Sequence, residues 1–319
     1  MKRTLSLILA VIMIAAICIG CASCNKSDKK YTVGIVQLVR HEALDAATEG
    51  FKKALIDKLG ADNVTFDEQN ASGDSAQCTT IVNSFVNNKV DLIMANATPA
   101  LQAAYNATNK IPILGTSVTE YGVALGIENF NGTVGTNVSG TSDLAPLDEQ
   151  AQMILDLFPN TKKVGLIYCS AEANSAYQVK EVTRVLTEKG VTCTPYSFSD
   201  SNDIAAVTNL AVAESDVIYI PTDNAAASAG DIVGNIVREA KKPVIAGEEG
   251  ICKKCGLATL SISYYDLGYK TGEMAAEILT GSKKIEEMPI AYAPTTKKYN
   301  KSFADVLGIT MPEGYEAIK

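Results

Sequence analysis

Residues 215–230 read SDVIYIPTDNAAASAG, and this stretch predicts the fold of the chain. An apolar strand, Asp216 to Ile220, leads into the polar residues Thr222, Asp223 and Asn224. Small residues follow, at the start of a predicted helix over residues 225–240. A strand that is apolar throughout favours a parallel sheet covered by helices on both faces. The polar residues then lie at the carboxyl end of that strand, where open α/β sheets bind their ligands.

The chain contains this arrangement twice. In the earlier copy an apolar run, Val90 to Ala95, leads into Asn96, Thr98 and Pro99. Strands and helices alternate around both copies, and the segments 34–112 and 165–243 show the same pattern over equal spans. A repeat of this length is too long for a solenoid unit. We therefore expect an α/β protein with two similar doubly wound parallel-sheet lobes, with polar strand ends facing each other across a cleft.

Composition and motifs exclude several functions. The net charge of -8 over 319 residues argues against nucleic acid, which requires a basic surface. No glycine-rich phosphate turn follows a strand, His41 is the only histidine, and no Gly-x-Ser-x-Gly motif occurs. A dehydrogenase and a hydrolase are therefore disfavoured, and we expect a protein that is not an enzyme and uses no cofactor or metal. Cys252 and Cys255, in the expected loop GEEGICKKCGLAT, have a spacing found in zinc sites, but the other cysteines after residue 30 form no second pair. A disulfide or two free thiols therefore remain the alternatives.

The amino terminus has the pattern of a bacterial lipoprotein. Lys2 and Arg3 precede an apolar run, and small residues then lead into Cys21 and Cys24. This pattern predicts a signal peptide over residues 1–20 and a lipidated tether over residues 21–30, with Cys21 or Cys24 as the acylated residue. An uncleaved membrane anchor and simple secretion are the alternatives. The expected location is the outer face of the cytoplasmic membrane.

Six motifs along the chain resemble one known family. They read GIVQLVRHEALDAATEGF, ANATPALQAA, SDLAPLDEQ, YCSAEANSAYQV, YIPTDNAAASA and SISYYDLGYKTGEMAAEIL. Together they are similar to substrate-binding lipoproteins of ABC transporters whose better-known members bind tryptophan, tyrosine or phenylalanine. The resemblance covers the chain from Tyr31 onward, and it implies the type I periplasmic-binding-protein fold.

This resemblance implies two discontinuous lobes joined by a three-stranded hinge. The first would comprise residues 31–142 and 265–290, and the second residues 143–264 and 291–319. The implied partners are a small ligand and the permease and ATPase of one importer, and the implied state is a monomer. Capture of a sugar or nucleoside, or sensing on behalf of a membrane signalling protein, is the alternative.

The candidate site follows from the strand ends and the amino-acid ligand together. Asp223 or Glu248 could accept from the ligand ammonium, and backbone amides near Thr98 and Ser175, with Asn174 and Asn224, could donate to its carboxylate. Tyr121, Tyr264 and Tyr265 could pack against an aromatic side chain. For each polar residue the alternative is a helix cap, because Ser, Thr, Asp and Asn favour that position. The predicted ligand-binding residues are Gln37, Thr98, Pro99, Thr116, Ser117, Asp143, Ser170, Asn174, Ser175, Thr222, Asp223, Asn224, Glu248 and Tyr264.

Overall fold

The computed structural model of the chain describes residues 29–318. The predicted signal peptide, both candidate lipidation sites and most of the predicted tether lie outside these residues. Within 29–318, every helix is too short or too polar to cross a bilayer.

The first lobe is built on a parallel sheet of six strands in the order β11-β5-β4-β3-β1-β2. Buried aliphatic side chains on both faces, such as Ile93 and Leu92, pack beneath the helices. The strands are β1 (Tyr31–Gln37), β2 (Val64–Asn70), β3 (Leu92–Asn96), β4 (Ile113–Val118), β5 (Val138–Ser142) and β11 (Ala291–Tyr292). The helices are α1 (Glu42–Leu59), α2 (Ser75–Asn88), α3 (Thr98–Ala107), α4 (Tyr121–Leu125) and α11 (Tyr264–Leu279).

The second lobe repeats this plan in a sheet of seven strands in the order β13-β12-β10-β9-β8-β6-β7. The ladder is parallel except that β12 runs antiparallel to β10. The strands are β6 (Lys163–Cys169), β7 (Thr192–Phe198), β8 (Val217–Ile220), β9 (Val244–Ala246), β10 (Ala258–Ser261), β12 (Thr296–Tyr299) and β13 (Glu316–Ala317). The helices are α5 (Leu147–Leu157), α6 (Ala173–Glu188), α7 (Ile204–Glu214), α8 (Asn224–Ser228), α9 (Gly230–Glu239), α10 (Glu249–Cys255) and α12 (Lys301–Leu307).

The predicted fold of two similar parallel-sheet lobes is confirmed. The order β2-β1-β3-β4-β5 in one sheet matches β7-β6-β8-β9-β10 in the other, as the repeated sequence pattern indicated. The chain passes between the sheets at residues 143–146, 262–263 and 293–295. Because Ala291–Tyr292 pairs with β5, the third crossover follows Tyr292 rather than residue 290.

Two local predictions were wrong. The predicted helix over residues 225–240 is divided into α8 and α9, where Gly230 packs so closely on Lys254 that a β-carbon would lie 2.7 Å from its side chain. The predicted loop GEEGICKKCGLAT contains α10, and Cys252 and Cys255 lie on its buried face as free thiols. Burial raises the pKa of Cys255 to about 12, which keeps this thiol protonated and unreactive.

Helices α1 and α11 cross at very short range beside the crossovers. A β-carbon on Gly268 would lie 1.9 Å from the carbonyl oxygen of Ala47, and one on Gly50 would lie 2.1 Å from that of Tyr265. Only glycine permits backbones to approach this closely. The contact anchors α11, whose first residue, Tyr264, enters the site described next.

Candidate functional site

The carboxyl end of β3 contributes an open helix start. Ala97 has φ 91° and ψ 158°, a conformation that costs a residue with a β-carbon roughly 1–3 kcal/mol and recurs at functional sites. Within residues 29–318, no side chain caps α3 at this point. The Oγ1 atom of Thr98 is buried and, in the same part of the chain, has no hydrogen-bond partner. Amide groups and a hydroxyl are therefore available for a negatively charged group.

The neighbouring strand adds a second hydroxyl. Ser117 has φ 54° where the β4–β5 pairing shifts register between Gly115 and Val118. Irregularities of this kind re-aim a side chain next to functional sites. Its Oγ atom is buried and unpartnered within the described chain. The adjacent Val118 carbonyl accepts a hydrogen bond from the Asp143 amide, so Ser117 lies close to the first crossover.

Asp143 lies on that crossover and has one free carboxylate oxygen. Its Oδ2 accepts from the Tyr264 hydroxyl at 2.9 Å, whereas its Oδ1 is buried without a partner among the described residues. Burial raises the pKa of Asp143 to about 6, and the hydrogen bond from Tyr264 and the nearby Thr119 hydroxyl oppose this rise. A buried carboxylate with an unused oxygen is suited to accept from a cationic group. Tyr264 therefore acts through its hydroxyl, and not only as an aromatic surface.

The second lobe contributes Asn174, at the start of α6. Its Nδ2 donates to the Thr222 carbonyl at 3.0 Å and to Glu172 Oε2 at 3.2 Å, which fixes the orientation of the amide. The Oδ1 atom is buried and accepts no hydrogen bond within residues 29–318. Ser175, which is fully buried beside it, also donates toward the Thr222 carbonyl. Asn174 thus presents an oriented acceptor just beyond the carboxyl end of β6.

Asp223 and Glu248 are helix caps, which is the alternative that the sequence left open for them. Asp223 Oδ1 accepts from the Ala226 amide at 2.8 Å and its Oδ2 from the Cys169 amide at 2.6 Å. Glu248 accepts from the amides of Gly250 and Ile251 at the start of α10. Burial and the neighbouring carboxylate of Glu172 raise the pKa of Asp223, and burial raises that of Glu248 to about 7. All four oxygens are already engaged, so Asp143 is the better acceptor for a ligand ammonium.

Other predicted residues support the lobes or lie away from the cleft. The Gln37 amide donates to Asp45 and Val39 and accepts from Thr48 inside the first lobe. Thr116 bonds to Thr141 in the same interior, and Ser170 is exposed and donates to the Phe198 carbonyl. Of the two other candidate aromatics, Tyr121 is buried in the first-lobe core and Tyr265 is exposed.

Two functional candidates escaped the sequence prediction. Glu172 is buried and accepts from the side chain of Asn224 at 2.6 Å and from the Ala225 amide at 2.9 Å, so it joins α6 to α8. His41 directly precedes α1 but makes no cap hydrogen bond, and its ring instead meets Asn224 across the cleft at 3.1 Å. Both roles depend on partners more than 50 positions away, and the local sequence gives no signal for them.

The lobes also meet at a cavity of about 250 Å³, lined by Leu38 and Pro99 from the first lobe and by Glu172 and Asn224 from the second, among others. Thr98, Ser117, Asp143 and Asn174 do not line this cavity, although Pro99 follows Thr98 and Glu172 holds the Asn174 amide. The cleft carries the buried acidic residues Asp143, Glu172, Asp223 and Glu248, yet no lysine or arginine of residues 29–318 is buried. A cationic group would balance these charges, because an unpaired buried carboxylate is unfavourable.

The free polar atoms suit a zwitterion. Thr98 and Ser117 offer hydroxyl donors beside open amides, whereas Asp143 and Asn174 offer acceptors. These four predicted residues hold four of the seven buried, unpartnered side-chain atoms in the part of the chain that the structure describes. Folding alone does not explain this clustering of unpaired atoms, because buried polar groups in folded proteins normally have hydrogen-bond partners.

Comparison with known proteins identifies the family. Residues 32–317 match the family described as ABC transporter substrate binding protein. The chain belongs to this family. Its members bind substrates rather than transform them, so the chain is not an enzyme. The chain is 38% identical over 309 residues to a tyrosine-binding protein of Clostridioides difficile, with 93% of this chain and 89% of that one covered.

Solved structures of relatives confirm the type I periplasmic-binding-protein fold. One from Streptococcus pneumoniae, in complex with L-Trp, is 31% identical with a TM-score of 0.86, covering 91% of this chain and all of that one. A ligand-free, open substrate-binding protein with adhesive properties from Clostridium difficile is 39% identical, covering 91% and 99%, but its TM-score is 0.69. The more similar sequence thus has the less similar shape. In the present chain the two lobes are in contact, for example through His41 and Asn224.

Proposed function

We propose that the protein is the extracytoplasmic, lipid-anchored receptor of an ABC importer that captures an amino acid, most simply an aromatic one. The observation that carries this proposal is the set of buried, unpartnered atoms on Thr98, Ser117, Asp143 and Asn174. Their donors and acceptors are divided as an amino acid requires, with donors in the first lobe and acceptors at the crossover and in the second lobe. The relatives that bind tyrosine and L-Trp support an aromatic side chain.

In this proposal each residue has a distinct role. The hydroxyls of Thr98 and Ser117, with the open amides of α3, hold the ligand carboxylate, and the amino-terminal end of the helix dipole strengthens that interaction. Asp143 Oδ1 and Asn174 Oδ1 accept from the ligand ammonium. Tyr264 fixes Asp143, and Glu172 fixes Asn174. Of the predicted residues, Asp223, Glu248, Thr222 and Ser175 then support the site from behind.

A sugar or nucleoside is the competing ligand, and it would also use hydroxyl and amide groups. The buried acidic residues favour the amino acid, because a neutral ligand would leave Asp143 without a compensating charge. Thermal-shift measurements on purified protein distinguish the two. L-tyrosine or L-tryptophan should raise the melting temperature, since a ligand that binds only the folded state stabilises it. A shift with galactose or adenosine, and none with any amino acid, would refute the proposal.

The anchor is tested separately. Cys21 or Cys24 should carry the lipid, because each follows a small residue after the apolar run of the signal peptide. Changing both cysteines to serine should move the protein from the membrane fraction into the medium, or leave its signal peptide uncleaved. Continued partitioning of a processed double variant into the detergent phase would contradict lipid anchoring.

A further inference from the structure

Two neighbouring residues at the start of α1 reach across the cleft to different helices of the second lobe. His41 Nε2 lies 3.1 Å from Asn224 Oδ1 on α8, and the Glu42 carboxylate lies 2.8 Å from Lys253 Nζ on α10. Neither contact is needed to build a lobe, because α1 belongs to the first lobe while α8 and α10 belong to the second. Both would break if the lobes separated.

The direction of the hydrogen bond is fixed by a buried carboxylate. Asn224 Nδ2 donates to Glu172 Oε2 at 2.6 Å, so the Asn224 Oδ1 atom faces His41 and must accept. His41 is therefore protonated on Nε2, and its Nδ1 atom is a bare acceptor. That Nδ1 atom is buried and has no partner in the described part of the chain. Glu172 also accepts from Asn174, which links this contact to the proposed ammonium site.

We propose that the His41–Asn224 hydrogen bond and the Glu42–Lys253 ion pair form an interlobe latch that holds the lobes closed and slows the release of ligand. This inference rests on the proposed function. A relative with an open, ligand-free structure exists, and hinge opening about the three crossovers would separate both pairs at once. None of the four latch residues has to touch the ligand for the effect to occur.

The two contacts should differ in strength. The side chains of Glu42 and Lys253 are 55% and 45% exposed, so salt should screen their attraction, and it should contribute little. The histidine contact is the stronger one because its atoms are shielded from water. Losing a hydrogen bond of that kind typically changes an equilibrium by about tenfold.

Acid should weaken the histidine contact. Burial lowers the pKa of His41 below its ordinary value of 6.5, and the positive charge of Lys254 lowers it further. The hydrogen bond to Asn224 and the negative charge of Asp45 raise the pKa, but by less. The other charged groups around it are the Glu42–Lys253 pair and Glu172, which lies behind Asn224. A second proton on Nδ1 would be buried without an acceptor. Because the pKa is lower when the lobes are closed, the latch holds above about pH 6.5 and is lost as the pH falls.

The test uses the release rate of L-tryptophan, whose fluorescence is unobscured because the chain contains no tryptophan. Excess L-tyrosine displaces the bound probe in a stopped-flow instrument. His41→Leu should raise the release rate constant about tenfold, whereas His41→Gln, which keeps an amide donor, should stay within about threefold of wild type. As the pH is lowered from 8 to 5.5, the release rate of wild type should rise more than that of His41→Gln. Asp143 and Glu248 titrate in the same range, but both proteins contain them, so the difference between the two pH profiles reports His41 alone.

A matched control separates the latch from general surface charge. Lys52 pairs with Glu68 at 2.7 Å within the first lobe, and this ion pair has no partner in the other lobe. Its side chains are 36% and 34% exposed, against 45% and 55% for Lys253 and Glu42, so it is partly open to salt as well. At low salt Lys253→Met should speed release about twofold and Lys52→Met should not. Equal effects of the two lysine variants, or a wild-type release rate for His41→Leu, would overturn the latch.

A second readout keeps the latch testable if the proposed ligand is wrong. Small-angle X-ray scattering of the ligand-free protein reports the balance of open and closed molecules. His41→Leu should have a larger radius of gyration than wild type, and His41→Gln should not. If wild type binds no amino acid but this difference appears, the proposed function fails and the latch stands. An identical radius of gyration for all three proteins would overturn the latch itself.

Discussion

Replacing Asp143 by asparagine should weaken the binding of L-tyrosine or L-tryptophan at least about thirtyfold. The substitution keeps the size of the side chain and an oxygen for the Tyr264 hydroxyl, but it removes the charge opposite the ligand ammonium. A charge-assisted hydrogen bond in a closed cleft contributes about 2–3 kcal/mol, which corresponds to this loss of affinity. Isothermal titration calorimetry of the wild-type and variant proteins measures the change directly.

Asp223→Asn is the matched control for this experiment. It makes the same chemical change at another buried acidic residue of the cleft, but both oxygens of Asp223 are occupied by backbone amides. Asparagine keeps one acceptor oxygen but places an NH2 group against the second backbone amide, so this variant should be less stable than wild type. Because Asp223 does not contact the ligand in the proposed site, the affinity of the folded variant should change less than about threefold. A large loss of affinity for Asp223→Asn, with none for Asp143→Asn, would assign the ammonium contact to Asp223 and contradict the proposed site.

The Asp143→Asn substitution should preserve or raise the stability of the ligand-free protein even though it weakens ligand binding. The pKa of Asp143 is about 6 in the folded protein against an ordinary value of 3.8, so its contribution favours folding below about pH 4 and is lost as the pH rises to 6. Asparagine removes this pH dependence. The ligand-free variant should therefore be at least as stable as wild type at pH 7, which would show that its weaker binding does not come from misfolding.

Gly268→Val should lower the free energy of unfolding by about 3 kcal/mol, the upper end of the usual cost of overpacking. A β-carbon at Gly268 would lie 1.9 Å from the Ala47 carbonyl oxygen, and that atom belongs to a helix backbone that cannot rotate away. Helices α1 and α11 would have to separate beside the crossovers. Urea denaturation monitored by circular dichroism measures the loss.

Lys270→Val is the control on the same helix. Lys270 is exposed and makes only a long ion pair with Glu273, so the same β-branched residue there should cost well under 1 kcal/mol. Equal destabilisation by the two variants would indicate a loss of helix propensity and would contradict the importance of the close helix contact.

The fold could be predicted because its signals are local. Apolar runs such as Val217–Ile220 mark buried strands, and helices with one apolar face lie between them, so each lobe was visible from the order of its elements. The helix α10 was missed because GEEGICKKC contains glycines and paired cysteines that suggest a loop. What forms the helix is the Glu248 cap and the burial of Ile251, Cys252 and Cys255 against the core, and that burial depends on the rest of the lobe.

The site could be predicted only as a set of positions. The carboxyl ends of parallel strands lie at one edge of the sheet, so the sequence predicted that Thr98, Ser117, Asn174 and Asp223 face the cleft. It did not indicate which atoms each of these side chains contacts. The sequence predicted Asp223 or Glu248 as the ammonium acceptor, whereas Asp143 was only one of the predicted ligand-binding residues. The two aspartates differ because the Cys169 amide, 54 positions from Asp223, approaches one carboxylate, while the other keeps a free oxygen.

The central claim is that the cleft recognises both charged groups of an amino acid, and calorimetric titration with three related compounds tests it most directly. L-tyrosine carries both groups, tyramine lacks the carboxylate, and 3-(4-hydroxyphenyl)propionate lacks the ammonium. L-tyrosine should bind, and each of the other two should bind at least about thirtyfold more weakly, since each loses one charge-assisted interaction. Binding of tyramine or the propionate as tight as that of L-tyrosine, or binding of galactose in place of all three, would contradict the account.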